Sequence, residues 1–320
     1  MFDRGRVDKD GKFPVYRIRT KAPATEQEQP RPTQHESMGT KPKVWLNIPA
    51  DDAGWLLKRG REGTGEHWAE KIAYEVGVLL GLPIAEVQLA DWDGDGATLC
   101  KGFKQQGQSL IHGNEILSWV NPNYPMDDEN YQTKEHTLPA VRDALCSHGV
   151  LVDDPFATAG LDAFGVFTGY LLLDALVCNT DRHHENWAVI ASGSGGERSL
   201  FLAPTYDHAS SLGRELQDSR RSMKLTTSDT RGNVRAYCDR ATSALFEREG
   251  AARPLTCQRA YLAACELDPL AAEYWKQVLG RLQSSSFHEI VERVPVELMT
   301  SLARQFALSS LTDRLQVLQG

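Results

Sequence analysis

The stretch Asn179–Ile190, NTDRHHENWAVI, crowds Asp181, Arg182, His183, His184, Glu185 and Asn186 between two apolar segments. Upstream, LDAFGVFTGYLLLDALV (161–177) is apolar almost all round, as a helix buried inside a large lobe is. Downstream, WAVI (187–190) and SLFLAPTY (199–206) are strand-like, and the Gly/Ser-rich ASGSGGER between them predicts an antiparallel hairpin. A polar loop therefore joins a buried helix to a hairpin, and its chemistry depends on what the hairpin carries back to it.

Paired strands lie roughly 5 Å apart, so the mouth of this hairpin should set Asn186 beside Asp207. An amide oxygen and a carboxylate suit a hard divalent cation, which takes few protein oxygens and leaves the rest of its shell to phosphate and water. Asp181, five positions before Asn186, would lie off the metal but close to it, where a carboxylate can receive the proton of an attacking hydroxyl. Protein kinases divide the work in this way and with this spacing. A zinc site is not expected, because neither HExxH nor a Cys/His ligand spacing is present. Taken singly, the same residues have plainer readings: Asp181 with Arg182 as a surface ion pair, Asn186 as a turn cap, His183 as a structural ring. Their joint occurrence with the residues upstream decides between the two.

Upstream, KVWLNI (43–48) and GWLLK (54–58) predict a hairpin, and GEHWAEKIAYEVGVLLG a helix capped by Thr64 and ended by Gly81. IAEVQLAD (84–91) and ATLCKGF (97–103) predict two further strands around the turn WDGDG. Lys58 ends a strand and Glu70 lies early on the following helix, the arrangement in which a strand lysine meets nucleotide phosphates while paired to a helix carboxylate. Glu66, one turn away on the same face, is the alternative partner for that lysine. In SMGTKPK (37–43), Gly39 permits close backbone approach, and Ser37, Thr40 and Lys41 carry donors suited to phosphate. Phe103, at the end of the last small-lobe strand, falls where a linker between lobes would border an adenine.

The rest of the chain frames this centre. Its 320 residues suffice for two packed lobes, and 35 basic against 43 acidic residues argue against broad binding to nucleic acid. No run is long and apolar enough to span a membrane, and MFDRGRVDKDGKF lacks a secretory core, so a cytoplasmic location is expected. Six cysteines without a CxxC pair read as free thiols. The Pro/Gln/Glu-rich tract KAPATEQEQPRPTQHES reads residues 1–36 as a flexible leader. A small mixed lobe over 37–105 and a mainly helical lobe over 106–320 follow. Helices are expected at RATSALFERE, CQRAYLAACE, AAEYWKQVLGRL, FHEIVERV and SLARQF followed by LTDRLQVLQ, punctuated by Pro254, Pro269 and Pro295.

The run Asn179, Asp181, His183, Asn186 fits the NxDxHxxN loop of the HipA-like serine/threonine kinases, and PTYDHASSLG around Asp207 resembles their metal-binding YD segment. SMGTKPK is similar to their phosphate loop, Lys58 to their strand lysine and Glu70 to its helix partner, in the family's order from about Ser37 onward. The resemblance implies an α+β, two-lobed protein-kinase-like fold, use of ATP with Mg2+, and phosphorylation of a Ser or Thr on a protein. It implies Asp181 as catalytic base, Asn186 and Asp207 as magnesium ligands, Lys58 against ATP phosphates and His183 as a shaper of the loop. Family members are often toxins held by a DNA-binding antitoxin, engaged through a long N-terminal subdomain; here only the short leader precedes the phosphate loop, which argues against that partner. NTDRHHENW also resembles the loop of type II phosphatidylinositol 4-kinases, which keeps a lipid or small-molecule acceptor as the alternative, beside a nucleotide-binding pseudokinase scaffold. Phosphate added to Ser37 or Thr40 would place negative charge where ATP phosphates belong, so self-phosphorylation there is expected to inhibit.

Overall fold

The alternation of GWLLKR sends Trp55 and Leu57 to one side of a strand and Leu56 and Lys58 to the other, and the architecture follows from what each side meets. In the computed structural model, residues 8, 10–19, 42–47, 53–126, 133–193 and 198–320 are described, with 31–35 as backbone. Strands β1 (Val15–Ile18), β2 (Arg31–His35), β3 (Lys43–Asn47) and β4 (Gly54–Arg59) precede helix α1 (Glu66–Leu79), and β5 (Val87–Trp92) and β6 (Asp95–Lys101) follow it. They form one six-stranded sheet in the order β1-β5-β6-β4-β3-β2, antiparallel except where β1 runs parallel to β5. Trp55 and Leu57 close a small apolar cluster with Val44, Leu46, Trp92 and Leu99. The opposite face, carrying Lys58 and Thr98, turns to α1.

The second lobe starts with β7 (Ser109–His112), α2 (Gly113–Val120), α3 (Leu138–Ser147) and α4 (Ala163–Val177). It continues through β8 (Ala188–Ser192), β9 (Ser199–Leu202), α5 (Asp218–Thr226) and α6 (Val234–Cys238) to α7 (Cys257–Leu267), α8 (Pro269–Gly280), α9 (Ser284–Glu292) and α10 (Ser301–Gln319). Every residue of α4 is buried, as its unbroken apolar composition requires, and the main core surrounds it. Strands β8 and β9 pair antiparallel with Val189 opposite Leu202, and β7 extends them to a three-stranded sheet.

Four expectations change. The leader is not uniformly without structure: β1 lies within it, with Ile18 in the small-lobe cluster and Phe13 in the main core, while Phe13 N–H donates to Arg293 O. Averaging composition over 36 residues submerged the apolar positions Phe13, Val15 and Ile18 in the polar tract that follows. That tract itself supplies β2, an edge strand with a register shift at Pro32, where a missing N–H costs least. RATSALFERE is not a helix. Its backbone is irregular, bridged to Thr256 through Thr242 and to Thr137 through Phe246, with Leu245 and Phe246 both buried. SLARQF and LTDRLQVLQ are one helix, α10, whose Ser310 hydroxyl donates to Phe306 O one turn back. Thr64 does not cap α1: Gly65 does, and the Thr64 hydroxyl donates to Arg61 O in the preceding turn. Gly81 does end α1, at φ +75°, with Leu82 N–H donating to Gly77 O and Gly81 N–H to Val78 O, the paired bonds of a left-handed helix stop.

Candidate active site

From the small lobe, β4 delivers Lys58 and α1 delivers Glu70. Their ammonium and carboxylate meet at 2.5 Å, and Thr98 on β6 donates to the other Glu70 oxygen at 3.0 Å. Glu66, the rival for this pairing, faces elsewhere: it accepts from Arg61 and from Arg214, each at 2.9 Å. From the large lobe, Asp207 follows β9 and sits in left-handed backbone at φ 59°, a conformation costly for a residue with a Cβ. Its carboxylate lies 3.2 Å from Lys58 Nζ, so one ammonium bridges the two lobes. Burial works against the lysine charge, yet the Asp207 and Glu70 carboxylates outweigh it and hold the pKa well above the ordinary value. The neighbouring Cys100 thiol, pushed up to about 12 mainly by burial, stays neutral near pH 7.

The polar loop leaves α4 through Cys178, also left-handed at φ 55°. Its anchor is Asp174 on the last turn of α4. That carboxylate accepts from Arg182 Nε at 2.7 Å and Nη2 at 2.8 Å, and from Asn179 Nδ2 at 2.8 Å. Arg182 completes the knot by donating to Asn186 O at 2.5 Å. The reading of Arg182 as a surface partner of Asp181 is therefore wrong: Arg182 is wholly buried and pairs with Asp174. Asn186 Nδ2 donates to Asp181 O at 2.6 Å, which leaves Oδ1 as the end a hard cation would take. The two ends of the β8–β9 hairpin are tied by Tyr206, whose hydroxyl donates to Glu185 O at 2.7 Å, so the residues preceding Asp207 and Asn186 touch. Asp181 accepts from the Ser210 hydroxyl at 3.3 Å. Phe103 packs against Tyr206 in a tilted pair, ring centroids 5.7 Å apart. Ser37, Gly39, Thr40 and Lys41 lie outside the described residues.

His183 accepts from Glu185 N–H through Nδ1, at 3.2 Å, and its Nε2 lies 3.9 Å from Asp181. Burial is the main force lowering its pKa, to about 4, so at neutral pH it is an uncharged ring and not an ion-pair partner. His136 behind it is lowered to about 3, again chiefly by burial, and accepts Trp187 Nε1–H at 3.1 Å. Both imidazoles titrate near 6.5 when unfolded. Folded pKa values below that figure confer stability present above about pH 6.5 and progressively lost as pH falls toward 4. Denaturant midpoints should accordingly fall between pH 7 and pH 5, and His183→Asn should flatten that fall. A parent midpoint unchanged over this interval would contradict the assignment.

The sequence reading missed Asp174, although a single acid inside an otherwise apolar helix was a visible anomaly. Ser210 and Arg214 carried no comparable signal. Among the described residues no group of three or more His, Cys, Asp or Glu is placed to hold a metal alone. An Asn–Asp oxygen pair suits magnesium, which keeps several water or phosphate ligands.

A family model described as the HipA-like C-terminal domain matches residues 36–263. Among solved structures, the Helicobacter pylori proinflammatory kinase CtkA is similar over 96% of this chain and 97% of its own, at 16% identity and a TM-score of 0.70. A chain from the Shewanella oneidensis toxin–antitoxin complex of HipA, HipB and operator DNA is similar over 93% of this chain and 73% of its own, at 13% identity and a TM-score of 0.54. At such identities the likeness to these two structures is one of fold. No curated protein matches the sequence.

Proposed function

The chain belongs to the HipA-like C-terminal domain family and has the two-lobed kinase fold, and from that premise we propose that it moves the γ-phosphate of ATP to a Ser or Thr hydroxyl of a protein. The observation that carries this reading is the Lys58 ammonium, held at 2.5 Å by Glu70 of its own lobe and at 3.2 Å by Asp207 of the other. A fixed positive charge held between carboxylates of both lobes is suited to positioning a triphosphate.

Asn186 Oδ1 and Asp207 would hold magnesium, which when bound offsets charge on the transferring phosphoryl group. Lys58 orients the phosphates and pairs with Asp207, the carboxylate proposed to hold the cation. Asp181 takes the proton of the acceptor hydroxyl as its oxygen bonds to the γ-phosphorus and the bond to the ADP oxygen breaks, the electron pair leaving with ADP. Phe103 borders the base, and the segment with Ser37, Gly39, Thr40 and Lys41 contacts the phosphates. Phosphorylation of Ser37 or Thr40 by the protein itself switches it off by charge repulsion.

The test is incubation with γ-labelled ATP, with magnesium or with chelator, followed by separate recovery of protein and of extractable lipids and metabolites. Magnesium-dependent label in protein Ser or Thr is the expected result. Label confined to the extract would transfer the reading to a lipid or small-molecule kinase. Saturable nucleotide binding without any transfer would make the chain a scaffold.

A further inference from the structure

Arg214 lies outside every residue read above as catalytic, yet it joins the small lobe to Asp181. Its Nη1 is 2.9 Å from Glu66 on the first turn of α1, and its Nη2 donates to Ser210 Oγ at 3.0 Å. The Ser210 hydroxyl in turn donates a hydrogen bond to Asp181 Oδ2 at 3.3 Å. The backbone repeats the link, since Gly65 N–H donates to Arg214 O at 2.8 Å. The chain reaches this place only by strain: Leu212 and Gly213 are successive left-handed residues, φ 57° and 68°, and Leu212 is fully buried. A bulky residue persists in that region only where the surroundings over-determine it, most often at working sites.

We infer that Arg214 is a positioning residue for phosphoryl transfer, braced on Glu66 and acting through Ser210 to aim the Asp181 carboxylate; the inference rests on Asp181 being the proposed base. A Ser hydroxyl rotates freely unless its oxygen accepts a hydrogen bond. The Arg214 donor supplies one, which leaves the Ser210 proton directed at Asp181 Oδ2. Polarisation along the chain strengthens the final bond. Because α1 also carries Glu70, the same helix registers Lys58 and the base, and both halves of the site are set from one element.

Three variants of the full chain test this. Ser210→Ala removes only the hydroxyl, since Ser210 O keeps its backbone bond from Thr180 N–H at 3.1 Å. Arg214→Gln removes the brace while Glu66 stays paired with Arg61. Arg214→Lys restores the charge. Ser210→Ala and Arg214→Gln should each lower kcat about tenfold with the KM for ATP changed less than about twofold, the signature of a misaimed base. The double variant should be no worse than the poorer single, because the two act in series. Arg214→Lys should recover most of the Arg214→Gln loss. Unchanged kcat, additive losses, or a rise in the KM for ATP that accounts for the loss would each overturn the inference, the last by showing that Arg214 serves α1 alone. A parent that transfers no phosphate, or an Asp181→Asn protein as fast as the parent, would instead overturn the proposed function, and the inference with it.

Discussion

Asp181→Asn should lower turnover at least ~100-fold while leaving ATP affinity within about twofold of the parent. The substitution keeps the shape of the side chain and an oxygen able to accept the Ser210 hydroxyl, so the loop has little reason to move. What it removes is the basicity: an amide nitrogen cannot receive the acceptor's proton. The groups proposed to bind nucleotide, Lys58 and the Asn186–Asp207 pair, are untouched, and the Asp181 side chain is 46% exposed, so the cost in stability should be small. Steady-state kinetics together with a direct nucleotide titration separate the two quantities. A variant within tenfold of the parent rate would assign the proton to another group. Parallel phosphoproteomics of cells carrying parent and variant would name the acceptor.

How much of this was readable from residues alone depends on the length of chain each feature needs. The β8–β9 hairpin, α1 and α4 are local patterns, recorded in periodicity and turn residues within about twenty positions. The Lys58–Glu70 pairing lies on adjacent elements, and only the choice between Glu70 and Glu66 needed coordinates, because both occupy one helix face. Contacts that close over long loops left no such trace. RATSALFERE has helical composition, but its backbone is claimed by partners at 136–137 and 255–256. The β1 strand exists because β5 offers an open edge, which no property of residues 15–18 announces. The polar loop shows both cases at once. Asp181 stays half exposed, as a loop carboxylate was expected to, whereas Arg182, adjacent to it in sequence, turns inward to Asp174.

That inward turn makes Asp174→Ala the largest stability effect expected in the molecule. Arg182 has no exposed surface and Asp174 almost none. Burial alone would lower the Arg182 pKa, but Asp174 outweighs it and raises the value further, so the guanidinium never sheds its charge. With the carboxylate gone, a permanent cation is left in an apolar lobe with the Asn186 carbonyl, and Asn179 Nδ2 loses its acceptor too. Breaking such a pair from one side costs ~3–5 kcal/mol, a large part of the ~5–15 kcal/mol that holds an ordinary domain. The denaturant midpoint should drop accordingly, and transfer should fail because the loop from Asn179 to Asn186 loses its anchor. Asp174→Asn, which keeps the shape and one acceptor, should cost clearly less. The double change Asp174→Leu with Arg182→Met removes both charges and should regain much of the stability, yet no activity, since Asn179 Nδ2 and Asn186 O lose the groups that tie the loop to α4. An Asp174→Ala protein within about 1 kcal/mol of the parent would mean that the Arg182 charge reaches water, and that α4 does not anchor the loop.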